Sequence, residues 1–395
     1  MDAPLRYAGT GARDPSLATV EDRRAAMNAP LVAFYVGGFE AIGGIESCFE
    51  DLLHAFSGAA IDPALFVWAE NLPQLRDLAA SGTTVYRTSL RAGCRWALPD
   101  WLLLLRHATH LRDVDRIVFG KIPPRRVFQH MLGLLDRRPN GRPELLFITP
   151  YRPSELWSNG LPAWIGGAID TMIVQSPDFT ADLRAAGFGG RIVEMPYLPP
   201  KPAVAPNNAP AHDGICRLGF LGRLAPQKNL FYLLDIVEQL QGDAVELHLF
   251  GEGEHEIALR AAAAERALPA IFHGPVERAA VPAAIDSCDI FLNPSISEGQ
   301  CLVALEVLSR GRPFLGSAVG AIPQILARGR FGDIMPLGDV AAAATVLRNA
   351  VAAWRANAWK PAAILDAYRT AYDPDSIAAE YLELLTGPSR RTDTA

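Results

Sequence analysis

The chain has 395 residues, half of them hydrophobic and one-fifth charged, with 33 Gly and 31 Pro. That composition excludes wholesale disorder, and at roughly 100–200 residues per domain the length predicts two or three domains with cores of useful size. The formal charge of −6, from 37 Lys and Arg against 43 Asp and Glu, excludes a general nucleic-acid binder. The charge is uneven, however: segment 87–152 holds 13 Lys and Arg against 5 Asp and Glu. Such a segment is either one positively charged face or a surface balanced by acids elsewhere in space.

Residues 1–29 are polar, charged and rich in Ala and Gly, and they lack the apolar core of a signal peptide, so a loose tail is expected. The run 31–36 is continuously apolar and ends in Gly37-Gly38, as a strand buried on both faces does. After Gly43-Gly44 a helix is expected over 45–56, with Ile45, Phe49, Leu52, Leu53 and Phe56 on one face. Further strands are expected at 64–68, 84–86, 116–119, 144–149, 171–174 and 191–195, mostly with helices between them, including 127–135 and 177–186. The apolar stretch 96–105 falls short of the ~20 residues of a membrane span and is interrupted by Asp100.

Residues 198–214 read LPPKPAVAPNNAPAHDG, the strongest linker signal in the chain. A second alternation follows, with strands expected at 217–221, 245–250, 270–273, 289–292 and 313–315 and a helix at 228–240. Helices at 340–354, 362–371 and 376–385 close the chain. The expected organisation is a tail (1–29), an N-terminal Rossmann-like domain (30–198), a linker (199–213), a C-terminal Rossmann-like domain (214–372), and a C-terminal helix and tail (373–395) packing back on the first domain. Two doubly wound α/β domains facing a central cleft put ligands at the carboxyl ends of the strands, so the loops there are the candidate sites. The five cysteines (48, 94, 216, 288, 301) show no CxxC pairing and no His at metal-ligand spacing, which fits a reducing cytoplasm and neither a disulfide framework nor a zinc site.

Two loops carry chemistry. In Gly219-Phe-Leu-Gly222-Arg223-Leu-Ala-Pro-Gln-Lys228-Asn229, Arg223 and Lys228 stand five residues apart where a helix opens, an arrangement suited to a diphosphate. The alternative is two surface cations on a βα loop. In Asn293-Pro-Ser-Ile-Ser-Glu298-Gly299-Gln300-Cys301-Leu302-Val-Ala-Leu-Glu306, Gly299 permits close approach to a ligand and the next amides open a helix that can donate to phosphate. Glu306 sits among apolar positions, where a carboxylate needs partners such as sugar hydroxyls. The alternative is a capping Glu298 and a salt-bridged Glu306.

GRLAPQKN together with SEGQCLVALEVLSRGRPF resembles the signature of retaining GT-B glycosyltransferases, the large family 4 (glycosyl transferases group 1). The spacing of Glu298 and Glu306 is similar to its paired glutamates, Gly251-Glu252-Gly253 to its GxG, Phe272–Val276 to its apolar strand and glycine, and Gly320–Leu326 to its GGxPEI segment, with Gln324 where an acid is usual. The resemblance is specific over 218–326 and looser before it, where Gly43-Gly44-Ile45-Glu46 resembles the glycine loop. It implies a metal-independent, cofactor-free hexosyltransferase with a UDP- or GDP-sugar donor. Arg223 and Lys228 would neutralise the diphosphate, Glu298 would contact the donor sugar, and Glu306 the ribose. The glycines Gly222 and Gly299, with the amides of Gln300, Cys301 and Leu302, would line the donor, and the amides of the Gly43-Gly44 loop would face the donor phosphate or the acceptor. The family's His after the fifth strand is absent: the chain reads Thr149-Pro150-Tyr151-Arg152, with Tyr151 or Arg152 as substitutes. His130 is expected in packing or on the surface.

The expected acceptor is a glycan, lipid-linked or small molecule. The basic segment with Trp96, Trp101 and 102–105 suggests contact with an anionic membrane, and the expected location is the cytoplasm or the inner face of the cell membrane. The alternatives are another GT-B nucleotide-sugar enzyme, epimerase-like, and a catalytically silent binding subunit.

Overall fold

The computed structural model describes residues 30–38, 44–68, 73–88, 98–111, 114–138, 141–204, 214–327 and 332–388. Gly43, Cys94, Trp96, the tail and most of the linker therefore lie outside the described residues. The chain divides into two compact units, Met1–Leu198 with Asp375–Ala395, and Pro199–Pro374.

The first unit is built on seven parallel strands: β1 (Leu31–Gly38), β2 (Asp62–Trp68), β3 (Thr84–Thr88), β4 (Arg116–Phe119), β5 (Glu144–Ile148), β6 (Thr171–Val174) and β7 (Arg191–Glu194). Their order is β3-β2-β1-β4-β5-β6-β7. Strands β4, β5 and β6 are buried along their whole length, which is why they read as unbroken apolar runs flanked by polar ends. Asp100, the charge within the apolar stretch, is buried. It lies in the first turn of helix Leu98–Leu111, where an acid suits the helix dipole, and there it accepts a 2.5 Å hydrogen bond from the Tyr35 hydroxyl. No helix among the described residues is long and apolar enough to cross a membrane.

Helix Pro374–Thr386 belongs to this unit and is held at two places. The Tyr381 hydroxyl donates to the Pro196 carbonyl at 3.1 Å, and the buried Arg116 guanidinium donates to the carbonyls of Leu385 and Gly387. Arg116 is in turn oriented by Glu144 at 2.9 Å.

The second unit has six parallel strands: β8 (Cys216–Leu221), β9 (Val245–Phe250), β10 (Ala270–Gly274), β11 (Ile290–Asn293), β12 (Phe314–Ser317) and β13 (Ile334–Met335). Their order is β10-β9-β8-β11-β12-β13. Separate apolar clusters sit under the sheet's two faces: Leu218, Phe220, Leu247 and Leu292 belong to one, and Phe250, Phe291 and Phe314 to the other. This strand order decides where the site falls. The order reverses between β8 and β11, so the loops leaving those two strands diverge to opposite sides and open a crevice at their carboxyl ends.

The expected helix at 228–240 begins later. A 3₁₀ turn, Pro226–Lys228, ends at Asn229 in the left-handed conformation (φ 53°), and the α-helix runs Leu230–Glu238. Lys228 therefore projects from a turn rather than from a helix start. The two-residue β13 is too short to leave a period in the sequence, and its pairing with β12 places it.

Candidate active site at the carboxyl edge of the second sheet

The two loops singled out in the sequence leave adjacent strands: the β8 loop carries Gly222, Arg223 and Lys228, and the β11 loop carries Glu298 to Leu302. They are stitched together by their own atoms. Ile296 N donates to Gln227 O at 2.9 Å, and Gln227 Nε2 donates to Ser297 O at 2.7 Å. Lys228 Nζ then reaches Glu298 Oε1 at 2.6 Å.

Glu298 is 7% exposed, so its charge needs partners. Besides Lys228, Oε1 accepts from Asn293 Nδ2 at 3.0 Å and from the Ser295 hydroxyl at 2.7 Å. Oε2 takes no hydrogen bond from any described residue. One carboxylate oxygen is fixed by three donors and the other is left to accept. The sequence reading missed Asn293 and Ser295 as members of the site. The available signal was their place, polar residues at the end of a buried strand and just upstream of an acid.

Close backbone approach shapes the crevice. A Cβ at Gly251 (φ 137°) would lie 1.9 Å from Gly222 O, and one at Gly253 would lie 2.5 Å from Leu224 O. Only glycine lets the β9 loop pack on the β8 loop in this way, with Leu224 N donating to Glu252 O at 2.8 Å. On the other side, Ala321 N donates to Gly299 O at 2.9 Å, so the Gly320–Leu326 segment props the Glu298 loop.

Arg223 is exposed and pairs with no acid among the described residues. The backbone N–H groups of Gly299, Cys301 and Leu302 likewise donate to no described acceptor. Gln300 is buried at 3% exposure. Cys301 is left-handed (φ 59°) and opens helix Leu302–Leu308. Burial pushes its thiol pKa up, and its sulfur accepts from Asn293 Nδ2 at 3.2 Å, so it is a packing residue rather than a nucleophile. Glu306 lies within the same helix, half-buried and near enough to the buried Tyr368 to help raise its phenol pKa. Gly44 starts helix Gly44–Ala55 in the first unit. Among the described residues no group of three His, Cys, Asp or Glu is placed to hold a metal ion.

Residues 216–352 match the family Glycosyl transferases group 1. The match takes in both loops and every site residue of the second unit. The chain is 34% identical over 149 residues to a phosphatidyl-myo-inositol mannosyltransferase of Mycobacterium leprae, covering 36% of this chain and 40% of that protein. It is 31% identical over 124 residues to a GDP-mannose-dependent alpha-mannosyltransferase of Mycolicibacterium smegmatis, covering 31% of each. The chain thus spans well under half the length of these curated relatives. A crystal structure of Anabaena HepE in complex with UDP and glucose has the same fold: TM-score 0.70, 15% identity, 90% of this chain and 99% of that one. The lipopolysaccharide outer core galactosyltransferase WaaB matches with TM-score 0.68 over 90% of this chain and 99% of its own, at 15% identity. Two Rossmann-like parallel α/β units of this kind are the GT-B fold.

In the first unit, the loop after β5 separates the two substitutes for the absent His. Arg152 is committed to Asp182, Nε to Oδ2 at 2.7 Å and Nη2 to Oδ1 at 3.3 Å, and holds that carboxyl below its ordinary pKa. Tyr151 is 42% exposed. His130 is an exposed residue of helix Arg125–Leu135 with its ring against Trp101 at 5.2 Å.

Proposed function

We propose that the protein is a glycosyltransferase that moves the hexosyl group of a UDP- or GDP-sugar to an acceptor hydroxyl, with retention of configuration and without a metal ion or cofactor. The observation that carries this reading is the divided Glu298 carboxylate, one oxygen fixed by Lys228, Asn293 and Ser295 and the other bonded to no described residue, with Arg223 on the same loop as Lys228 and paired with no described acid. A sugar hydroxyl donates to Oε2. Arg223 and the two remaining Lys228 N–H donors neutralise the diphosphate as the glycosidic bond breaks, and the Gly299–Leu302 amides add to them. Charge met most strongly in the transition state is what lowers the barrier. Glu306 accepts from the ribose, and the first unit, through the Gly43-Gly44 loop and Tyr151, takes the acceptor. With retention and no protein nucleophile, the departing phosphate receives the acceptor proton on the same face of the sugar. The family match and the nucleotide-bound neighbours support this reading. A thermal-shift panel of nucleoside diphosphates tests it: at 100 times Kd the correct one stabilises by about 2.7 kcal/mol. No shift with any nucleotide would remove the donor assignment.

A peripheral membrane contact fits the first unit. Leu105 on helix Leu98–Leu111 is 63% exposed and Leu102 37%. Arg125 and Arg126, both exposed, occupy the first turn of helix Arg125–Leu135, the dipole's unfavourable end for cations. Charge placed there against helix stability suits an anionic lipid surface. The segment's surplus is reduced by Arg142 and Arg152, which pair with Asp170 and Asp182 outside it, whereas the Arg116–Glu144 pair lies within the segment and leaves the surplus unchanged.

A further inference from the structure

Two adjacent residues at the carboxyl end of β6, Gln175 and Ser176, have side-chain polar atoms that are buried and bonded to no described residue: Gln175 Nε2, Gln175 Oε1 and Ser176 Oγ. Ser176 is 2% exposed. It occupies the N-cap of helix Pro177–Ala185, where a serine hydroxyl ordinarily accepts from the helix's first amides, yet it makes no such bond. Polar groups at the neighbouring strand ends are already engaged elsewhere. Thr149 Oγ1 donates to Ile173 O at 3.2 Å, the Tyr197 hydroxyl donates to Thr149 O at 3.1 Å, and Met195 N donates to Val174 O at 2.8 Å. Arg152 and Ser154 are both held by Asp182. Buried polar atoms are nearly always paired, and each lost pairing destabilises the fold, so three orphans on neighbouring residues call for a reason.

Their position supplies one. They lie at the edge of a doubly wound parallel sheet where ligands bind, beside the Thr149–Arg152 loop. Gln175 is half-buried as a residue and both atoms of its amide are covered, so the amide meets a ligand by rotation about its side-chain torsions. The chemistry offered is neutral: an amide with donors and an acceptor, and a hydroxyl that does both. That suits vicinal hydroxyls, each also donor and acceptor. An anion is disfavoured, because Asp178 lies in the helix's first turn and the Arg152 charge is taken by Asp182.

We infer that Gln175 and Ser176 form a hydroxyl-reading subsite in the first unit for an uncharged polyol, the sugar end of the acceptor; calling it the acceptor rests on the transferase reading above. The test uses methyl α-D-glucopyranoside as the polyol and inorganic phosphate as the anion, followed by ligand-observed NMR on the full chain, for wild type, Gln175→Leu and Ser176→Ala. The pyranoside binds the wild type, and each variant binds it about tenfold more weakly. Phosphate binding is the same in all three. Because each variant removes an unsatisfied group, Tm stays level or rises by about 2–4 °C. A fall in Tm of that size identifies a structural cap and overturns the proposal. So does pyranoside binding that is absent from the wild type or unchanged in both variants. Calorimetric titration with UDP and GDP reports on the second unit alone: its failure removes the transferase reading, and the pyranoside result still decides the subsite.

Discussion

Replacing Lys228 with Met tests the centre of the site, because the structure makes this lysine both a ligand group and a structural partner. The substitution keeps the aliphatic stem and removes an ammonium 2.6 Å from Glu298 Oε1. A fully exposed ion pair contributes at most about 1 kcal/mol, and breaking a fully buried one costs about 3–5 kcal/mol. Here the side chains are 20% and 9% exposed, and Asn293 and Ser295 still donate to the stranded oxygen. A loss of about 2 kcal/mol is therefore expected, or roughly 4–8 °C in Tm for a unit of this size. The double variant Lys228→Met/Glu298→Gln carries no stranded charge and should recover most of that loss. Arg223→Ala, with no described partner to strand, should move Tm by no more than about 1–2 °C. Both single variants should lose at least about tenfold in turnover at saturating donor, about 1.4 kcal/mol of barrier. Differential scanning fluorimetry and a donor-consumption assay measure the two quantities. If Lys228→Met melts like wild type, or the second substitution rescues nothing, the ion pair is not the support described here. If turnover is also unchanged, Lys228 does not meet the leaving group.

The other expectations follow from the same geometry. Glu306→Ala should weaken binding of the free nucleoside diphosphate in calorimetry while Glu298→Ala leaves it nearly intact and impairs transfer, and equal losses would end that division of roles. Activity should survive EDTA, and a complete loss restored by magnesium or manganese would contradict the charge roles given to Arg223 and Lys228. His248 Nδ1 and His273 Nε2 lie 3.0 Å apart, and burial is the first cause lowering both pKa values. The unfolded chain therefore takes up protons first as pH falls, so stability is full above about pH 7 and declines through the free imidazole value near pH 6.5 towards the lower folded values. His248→Phe should flatten that part of the Tm–pH curve, and an unchanged curve would refute the pairing. Charge reversal at Arg125 and Arg126 should reduce co-sedimentation with anionic vesicles and leave nucleotide binding alone, whereas no sedimentation of wild type at low salt would retire the membrane contact.

Much of the second unit was legible because its physics is local. Buried strand positions must be mostly apolar, and β9 and β8, broken only by Glu246, His248 and Arg217, stand out of the sequence at nearly their observed limits. Glycines forced by backbone contact are also legible once a motif flags them, as at Gly251 and Gly253. What was not legible depends on contacts between distant segments. Asn293 and Ser295 are unremarkable polar residues until Glu298 folds back over them. Asn229 in the left-handed region moves Lys228 off the helix and onto the carboxylate, which no periodicity reports.

The sequence by itself determined the two α/β alternations, the residues of the two charged loops and the glycines that space them, since these follow from burial, backbone sterics and charge within short windows. Only the tertiary structure decided that Lys228 reaches Glu298, that one oxygen of that carboxylate is saturated and the other open, that Arg152 is spent on Asp182 while Tyr151 is exposed, and that Gln175 and Ser176 are left unpaired. Whether a buried polar atom has a partner is set by which strands lie side by side, and the order β10-β9-β8-β11-β12-β13 brings together residues some seventy positions apart in the chain.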